Sequence, residues 1–235
     1  LRDAVLLTRP GDDVGPAGRM LLAWRRLGAR PARELLSEGS IAGVLEALGL
    51  ARDDETASDL ADALRCLVTT EGTVGILAGV YALVDRHGLP GAVGSWLADA
   101  LLAQRLGWPR AVPLLGAEVN AAGPARPRRS EAAIAASIKA EHARAKGLLA
   151  VQARAALRAI DLSTELGRRA DRLLAVAPKL RAKAAAAVVE RLLSDDALVA
   201  SEKIASMSDR GLRRLFDRLL QLGALRELSG RPAFR

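Results

Sequence analysis

Cysteine and histidine are almost absent from this chain of 235 residues, which contains one cysteine, Cys66, and two histidines, His87 and His142. A single cysteine excludes an internal disulfide framework and a cysteine-based zinc cluster. It also fits a reducing compartment, so we expect a cytoplasmic location. No His-Glu-x-x-His sequence occurs, which excludes the usual zinc-protease motif. We interpret Cys66 as a small core residue and both histidines as structural.

Aromatic residues and long apolar runs are also scarce. Aromatic side chains make up 3% of the chain while apolar residues make up 50%, so the core must be largely aliphatic. Alanine, the best helix former, occurs 47 times and strand-favouring residues are few, which predicts an all-α fold. The longest apolar run, residues 74–84, has eleven residues, about half of what a membrane-spanning helix needs. We therefore expect a soluble protein that does not cross a membrane, with this run as a buried helix.

Lysine is scarce as well, because only five of the 35 basic residues are lysines and 30 are arginines. With 27 acidic residues the net charge is +8. Arginine binds phosphate groups through two parallel hydrogen bonds, although a GC-rich genome gives the same excess of arginine. Residues 176–235 contain 12 basic and 7 acidic residues, a net charge of +5. This balance is compatible with nucleic acid as a partner and directs attention to the C-terminal quarter.

Hydrophobic spacing and turn residues divide the chain into three predicted parts. The first, 1–129, is a helical region that ends in a linker without an apolar stripe, 120–129. The second, 130–177, contains no proline and is expected to form a helical pair broken near 161–163 or one long bent helix. The third, 178–235, is the C-terminal module. The helices expected in the first part span 17–27, 41–48, 57–67, 74–84, 93–106 and 114–119.

The C-terminal module has the element order of a winged helix-turn-helix. Two helices joined by a three-residue turn, the second of them amphipathic, predict the helix-turn-helix, and a β-hairpin directly after them predicts the wing. Ser208 is expected to cap the amphipathic helix and Gly223 to end it. The elements are expected at 179–193, 198–205, 209–222, 224–228 and 231–235. The predicted fold is thus a multi-helix bundle followed by a small winged helix-turn-helix.

The amphipathic helix 209–222 separates into an apolar and a charged face. Its predicted core stripe consists of Leu212, Leu215, Phe216, Leu219 and Leu220. Arginines on the opposite face can bond guanine edges and phosphates, and a basic wing tip can contact the backbone or the minor groove. The residues predicted to contact duplex DNA are Ser208, Arg210, Arg213, Arg214, Asp217, Gln221 and, at the wing tip, Arg231. The alternatives are a solvated charged face, in which Asp217 pairs with Arg213 or Arg214, and a protein-docking surface.

The sequence contains no constellation typical of an enzyme, so no catalytic, cofactor-binding or metal-binding residue is assigned. No phosphate-binding loop and no dinucleotide-binding fingerprint occurs. Asp12 and Asp13 form the best acidic pair for metal or acid–base chemistry, but their place before a helix favours a role at its positive end. Trp24, Trp96 and Trp108 are interpreted as packing anchors, with the lining of an effector pocket as the alternative.

Three stretches carry a family resemblance. Residues 9–19 read Arg-Pro-Gly-Asp-Asp-Val-Gly-Pro-Ala-Gly-Arg, with Leu-Leu-Ala-Trp-Arg-Arg at 21–26; residues 169–183 read Arg-Ala-Asp-Arg-Leu-Leu-Ala-Val-Ala-Pro-Lys-Leu-Arg-Ala-Lys; the third stretch is 208–235. They resemble a bacterial family of unknown function, DUF1403, met largely in rhizobia and related bacteria and often on plasmids. The resemblance implies that a segment precedes Leu1 and that the last wing strand continues past Arg235. It implies no particular activity.

Together these observations favour a DNA-binding protein similar to a transcriptional regulator, which binds duplex DNA through its C-terminal winged helix. The helices of 130–177 are then expected to join two copies into a homodimer, because a dimer doubles the phosphate contacts. The alternative is a non-enzymatic scaffold of a plasmid or mobile-element system, whose winged helix docks a protein partner. An enzyme with an unrecognised helical active site is the least favoured interpretation.

Overall fold

The computed structural model describes residues 13–70, 72–118, 134–182, 184–195, 197–200, 202–205 and 207–228, with the backbone alone at 70, 117, 118 and 134–145. Among these residues the fold is helical, with no strand and one isolated bridge, between Pro31 and Arg110. None of the described helices is both long and apolar enough to cross a membrane. The chain divides into two compact units, Asp13–Ala159 and Ile160–Arg235, each of which is described by itself below.

The N-terminal unit contains all six of the helices expected there, each shifted by a few residues at its ends. Local capping explains their starts and stops: Ser37 Oγ accepts a hydrogen bond from Ser40 N, and Asp53 Oδ1 accepts from Glu55 N. Gly88, with φ of +64°, follows the fourth helix in the conformation that ends helices. The helices are α1 Gly15–Ala29, α2 Glu38–Ala47, α3 Asp54–Thr70, α4 Thr73–Arg86, α5 Gly91–Arg105 and α6 Leu115–Glu118.

Helix α5 is the centre of the N-terminal unit, since every residue from 93 to 103 is buried. A helix that is apolar around its circumference is one that other helices surround. Trp96 is 1% exposed, and its indole Nε1 donates to the carbonyl oxygen of Ala23 on α1 over 3.1 Å. On another side, the Tyr81 hydroxyl of α4 lies 2.8 Å from Ser95 Oγ, and a Cβ at Gly94 would come within 2.9 Å of the tyrosine ring. Small residues on α5 therefore admit the aromatic side chains of its neighbours.

The interpretation of Cys66 as a core residue is wrong, because its side chain is exposed. The buried stripe of α3 consists of Ala57, Leu60, Ala61 and Leu64. Cys66 follows Leu64 by two positions, about 200° around the helix, and so faces away from that stripe. The interpretation of Cys66 rested on the apolar character of cysteine alone, whereas the helical spacing predicts a position on the surface.

The residues that link the two units in sequence form one continuous helix, α7 Ile134–Val176, of 43 residues. Of the two arrangements expected for this region, a break near 161–163 is therefore wrong. No proline interrupts the helix. Directly after the expected break Glu165 pairs with Arg168 over 3.3 Å and with Arg169 over 2.8 Å, and such pairs three and four residues apart stabilise a helix.

The C-terminal unit packs the end of α7 against two further helices, α8 Ala185–Ser194 and α9 Asp209–Gln221. A 3-10 turn, Ala177–Lys179, holds Pro178 directly after α7, in a first turn where proline is tolerated. The expected helix 179–193 is correct only in its second part, since α8 begins at Ala185 and Leu180 is extended. The buried residues of this unit are Leu173, Val176, Ala185, Val188, Val189, Ile204, Leu212, Leu215 and Leu219.

Two elements expected for the winged helix-turn-helix are not found among the described residues. The short helix expected at 198–205 is replaced by turns, in which Glu202 Oε1 accepts from Val199 N and Ala205 has φ of +52°. Eight residues form a helix poorly without packing partners, and here the side chain of Glu202 offers the backbone a competing bond. The expected first wing strand, 224–228, is irregular, and its expected partner, 231–235, lies outside the described residues. The all-helical class is confirmed for the described residues, whereas the wing is not observed.

Candidate nucleic-acid interface

Helix α9 carries the residues that the sequence analysis assigned to DNA, and its two ends form as expected. Ser208 Oγ accepts from Gly211 N over 3.2 Å, and Asp209 occupies the first turn, where the helix dipole favours a negative charge. At the other end Gly223 has φ of +66°, and the amide of Ala224 donates to the carbonyl oxygen of Leu219 over 2.9 Å. The Ser208 side chain therefore caps the helix, and this structural role is independent of any contact with DNA.

One face of α9 holds the helix in the C-terminal unit. Leu212, Leu215 and Leu219 are at most 5% exposed and share one cluster with Val188 and Val189 of α8. The two other residues of the predicted stripe, Phe216 and Leu220, are half-buried. Truncating one of the buried leucines to alanine typically costs about 2–5 kcal/mol of stability. The core face of α9 is thus the one predicted, and it fixes which side chains point outward.

The opposite face of α9 is exposed and rich in arginine. The residues predicted there, and found exposed, are Arg210, Arg213, Arg214, Asp217 and Gln221. Arg218 is also exposed and was missed, although it continues a row that runs from Arg210 through Arg214 in steps of four residues. The helix therefore presents four arginines beside two acidic residues, Asp209 and Asp217, a net charge of +2.

Within the described part of the chain, no ion pair neutralises Arg210, Arg213 or Arg214. In particular, Asp217 forms no salt bridge with Arg213 or Arg214, an arrangement that the sequence had left open. Arg218 Nη1 lies 3.4 Å from Gln221 Oε1, a contact with a neutral amide that leaves its charge uncompensated. The guanidinium groups of this face are consequently available to an external anion.

The segment between α8 and α9 is held by a small ionic cluster in place of the expected short helix. Arg191 Nη2 lies 2.8 Å from Asp195 Oδ2 and 3.8 Å from Glu202 Oε2. Glu202 in turn fixes the backbone at Val199 over 3.1 Å. Asp195 and Glu202 thus pair with Arg191 of α8 and not with the arginines of α9. Arg231, the last predicted contact, lies outside the described residues.

Asp99 is a buried charge that the sequence analysis missed. It lies on α5 and is 1% exposed; its Oδ1 accepts from Leu115 N over 2.8 Å, and its Oδ2 accepts from Gly116 N over 3.1 Å and from Trp24 Nε1 over 3.3 Å. A Cβ at Gly116 would collide with the Trp24 indole, so glycine is required there. Burial raises the pKa of Asp99 to about 6, against the effect of these donors, which favour the carboxylate. The sequence does contain a signal for this buried residue, because Asp99 is the single acidic residue within the apolar stretch 93–103.

The remaining candidates that the structure describes lie at helix ends or in the core. Asp13 is exposed, and its Oδ1 accepts from Gly15 N over 2.9 Å at the start of α1, while Asp12 lies outside the described residues. No group of three metal-ligating side chains occurs among the described residues. Trp96 borders a cavity of about 20 Å³, which has room for a water molecule and not for an organic effector. His87 caps α4, and the side chain of His142 lies outside the described part.

Comparison with known proteins identifies a family but no individual protein that matches the chain. No curated protein and no solved structure matches the chain. The profile of one family, described as "Protein of unknown function (DUF1403)", matches residues 1–235. That match extends over both compact units and includes α9 with its arginine face. The chain therefore belongs to the DUF1403 family of proteins of unknown function.

Proposed function

We propose that the protein binds duplex DNA through the exposed face of α9. The observation that carries the proposal is the set of arginines Arg210, Arg213, Arg214 and Arg218, which lie on one helix opposite a buried leucine stripe. An exposed basic helix backed by a packed core can lie along the major groove, where arginine bonds guanine edges and phosphates. A transcriptional-regulator-like role follows from such binding.

The charge of this face sets the expected salt dependence. Each phosphate contact releases counterions, so that four arginines bound to phosphates give a slope of log K against log salt of about −3.6. Affinity should then fall by about a hundredfold between 50 and 200 mM salt. Asp217 is an acidic residue on the same exposed face and opposes the binding of phosphate locally.

The test is fluorescence anisotropy of the full chain on mixed genomic duplex DNA, stepped from about 50 to 200 mM salt. The double variant Arg213→Ala, Arg214→Ala should bind more weakly and reduce the salt slope by about 2, since each lost phosphate contact removes about one unit. Both side chains are exposed, so the fold is expected to be retained. Loss of the steep slope would assign the binding to this face.

A matched control removes the same charge elsewhere. Arg33 and Arg52 are exposed and pair with Glu34 and Asp54, so Arg33→Ala, Arg52→Ala lowers the net charge equally in the N-terminal unit. This control should keep the wild-type slope. Equal weakening by the two double variants would mean that net charge and not α9 is responsible. No binding at about 50 mM salt would reject DNA as the ligand and favour a protein partner for the same face.

We further propose that residues 224–235, which follow α9, act as a wing when the protein binds DNA and that Arg231 lies at the wing tip. The support is the Ser229-Gly230 turn signal and the position of this segment directly after α9. Arg231→Ala should weaken binding by several-fold on every DNA sequence, because a wing-tip arginine contacts the sugar-phosphate backbone. Affinity equal to that of the wild type at about 50 mM salt would remove the wing from the interface.

A further inference from the structure

The middle of α7 exposes an apolar face that the same helix buries on either side. Residues three, four and seven positions apart on a helix share one face, and Ala155, Leu162, Leu166 and Leu173 follow this spacing. Ala155 is 3% exposed and Leu173 is 5% exposed, whereas Leu162 is 58% and Leu166 is 50% exposed. We call the exposed part, Leu162 and Leu166 with the half-buried Ala170, the Leu162 face.

From this face we propose that a second copy of the chain docks here, helix against helix and antiparallel, to form a two-fold dimer. Single exposed leucines are ordinary on protein surfaces. Leu162 and Leu166 lie one turn apart, on the same face of α7 as residues that are buried before and after them. They therefore form an apolar strip against which a second helix can pack. The proposal is independent of DNA binding, because none of these residues belongs to α9.

The charges beside the Leu162 face complement those of a second copy in one direction, in addition to the pairs that Glu165 forms with Arg168 and Arg169 within its own helix. Asp161 and Glu165 lie on the first half of this segment, and Arg168, Arg169 and Arg172 lie on the second half. An antiparallel copy brings the acidic half of one helix against the basic half of the other, whereas a parallel copy opposes like charges. A two-fold axis across the helix generates this arrangement with one self-complementary surface.

Two more residues fit a closely packed helix pair. Gly167 and Ser163 lie on the flank of the face that carries no charge, and a Cβ built at Gly167 meets nothing within 4 Å. The packing of its own chain therefore does not require glycine there. A small flank allows two helices to approach to about 8–10 Å between axes, so that leucines of one helix fill the gaps of the other. Asp171 is nine residues from Leu162, on the opposite side of the helix, and does not oppose this contact.

The test is sedimentation equilibrium of the full chain over a range of concentrations from about 1 to 100 µM. The wild type should be a dimer in this range. Leu162→Gln, Leu166→Gln should raise the dissociation constant by about tenfold or more, since both leucines lose their apolar contact. Circular dichroism and thermal unfolding should show that the variant is folded, as expected for exposed positions.

The same helix provides a matched control. Leu157 and Ile160 are 64% and 62% exposed but lie away from the Leu162 face, so Leu157→Gln, Ile160→Gln should leave the dissociation constant unchanged. A monomeric wild type at about 100 µM, unchanged association of the Leu162 and Leu166 variant, or equal loss in the control would each overturn the proposal.

Reversed charges test the antiparallel direction. Glu165→Arg and Arg169→Glu should each weaken the dimer, and the combined variant should restore the wild-type constant, because both copies then carry the exchanged charges. Failure of the combined variant to restore association would reject the antiparallel arrangement.

Discussion

At the scale of single residues, Asp99 is the group whose environment most clearly affects the behaviour of the protein. It ties together three elements, since its carboxylate accepts from the indole of Trp24 on α1 and from the first amides of α6, Leu115 N and Gly116 N. Those amides have no partner within a helix of four residues, so a side chain must satisfy them. The cost is a buried charge, which is reflected in a pKa raised to about 6.

The raised pKa of Asp99 predicts a stability that falls as the pH rises. The folded state binds the proton more tightly than the unfolded chain, whose ordinary pKa is 3.8, so the folded state holds more protons between these values. The extra stability is complete below pH 3.8 and is lost as the pH rises through about 6, by about 3 kcal/mol at most. Urea unfolding of the wild type and Asp99→Asn at several pH values should show the wild-type free energy of unfolding decreasing relative to the variant over this window.

The exposed Asp59 supplies the control for this titration, because Asp59→Asn removes the same chemical group from the surface of α3. Its difference from the wild type should not follow the window of Asp99. A wild-type advantage over Asp99→Asn that grows with pH would contradict the prediction. It would mean that the three N–H donors outweigh burial and depress the pKa.

At the scale of elements, the sequence predicted the helices wherever capping and hydrophobic spacing agreed. Helix α9 is the clearest example: Ser208 caps it, Gly223 ends it, and its leucine stripe is buried as the spacing requires. The arginine face was predictable for the same reason, because once one face is fixed the other follows from the period of the helix. Arg218 was overlooked although its spacing from Arg214 is the same as that of Arg214 from Arg210.

The elements that the sequence did not predict depend on side-chain contacts that hydrophobic spacing alone does not show. Residues 198–205 have an apolar spacing suitable for a helix, yet Glu202 turns back to Val199 and to Arg191 of α8, a bond that local periodicity does not reveal. For α7 the sequence left open both a break at 161–163 and one long bent helix, and the ion pairs of Glu165 and the lack of proline favour the continuous helix. The burial of Asp99 likewise requires α1, α5 and α6 to be assembled.

At the scale of the whole molecule, the described residues form three buried clusters, and the two large ones, one in each unit, have no member in common. The larger surrounds α5 in the N-terminal unit and includes Trp96 and Leu97. The smaller joins the end of α7 to α8 and α9 and includes Val188 and Leu212. The arginine face of α9 therefore depends for its position on the smaller cluster, and variants in the larger cluster should affect it only indirectly.

This separation predicts that core variants act within their own unit. Leu212→Ala and Leu97→Ala each remove a fully buried side chain and should cost about 2–5 kcal/mol where the cavity forms. Hydrogen exchange followed by mass spectrometry should show that Leu212→Ala lowers the protection of α8 and α9 and leaves α5 as in the wild type, and that Leu97→Ala does the reverse, because amides exchange through the unit that opens. Equal loss of protection in both units from either variant would show that the chain unfolds as one cooperative body. If the two units unfold separately, Leu97→Ala should also retain the DNA affinity proposed for α9. Variants in the larger cluster would then change the stability of the N-terminal unit without changing DNA binding.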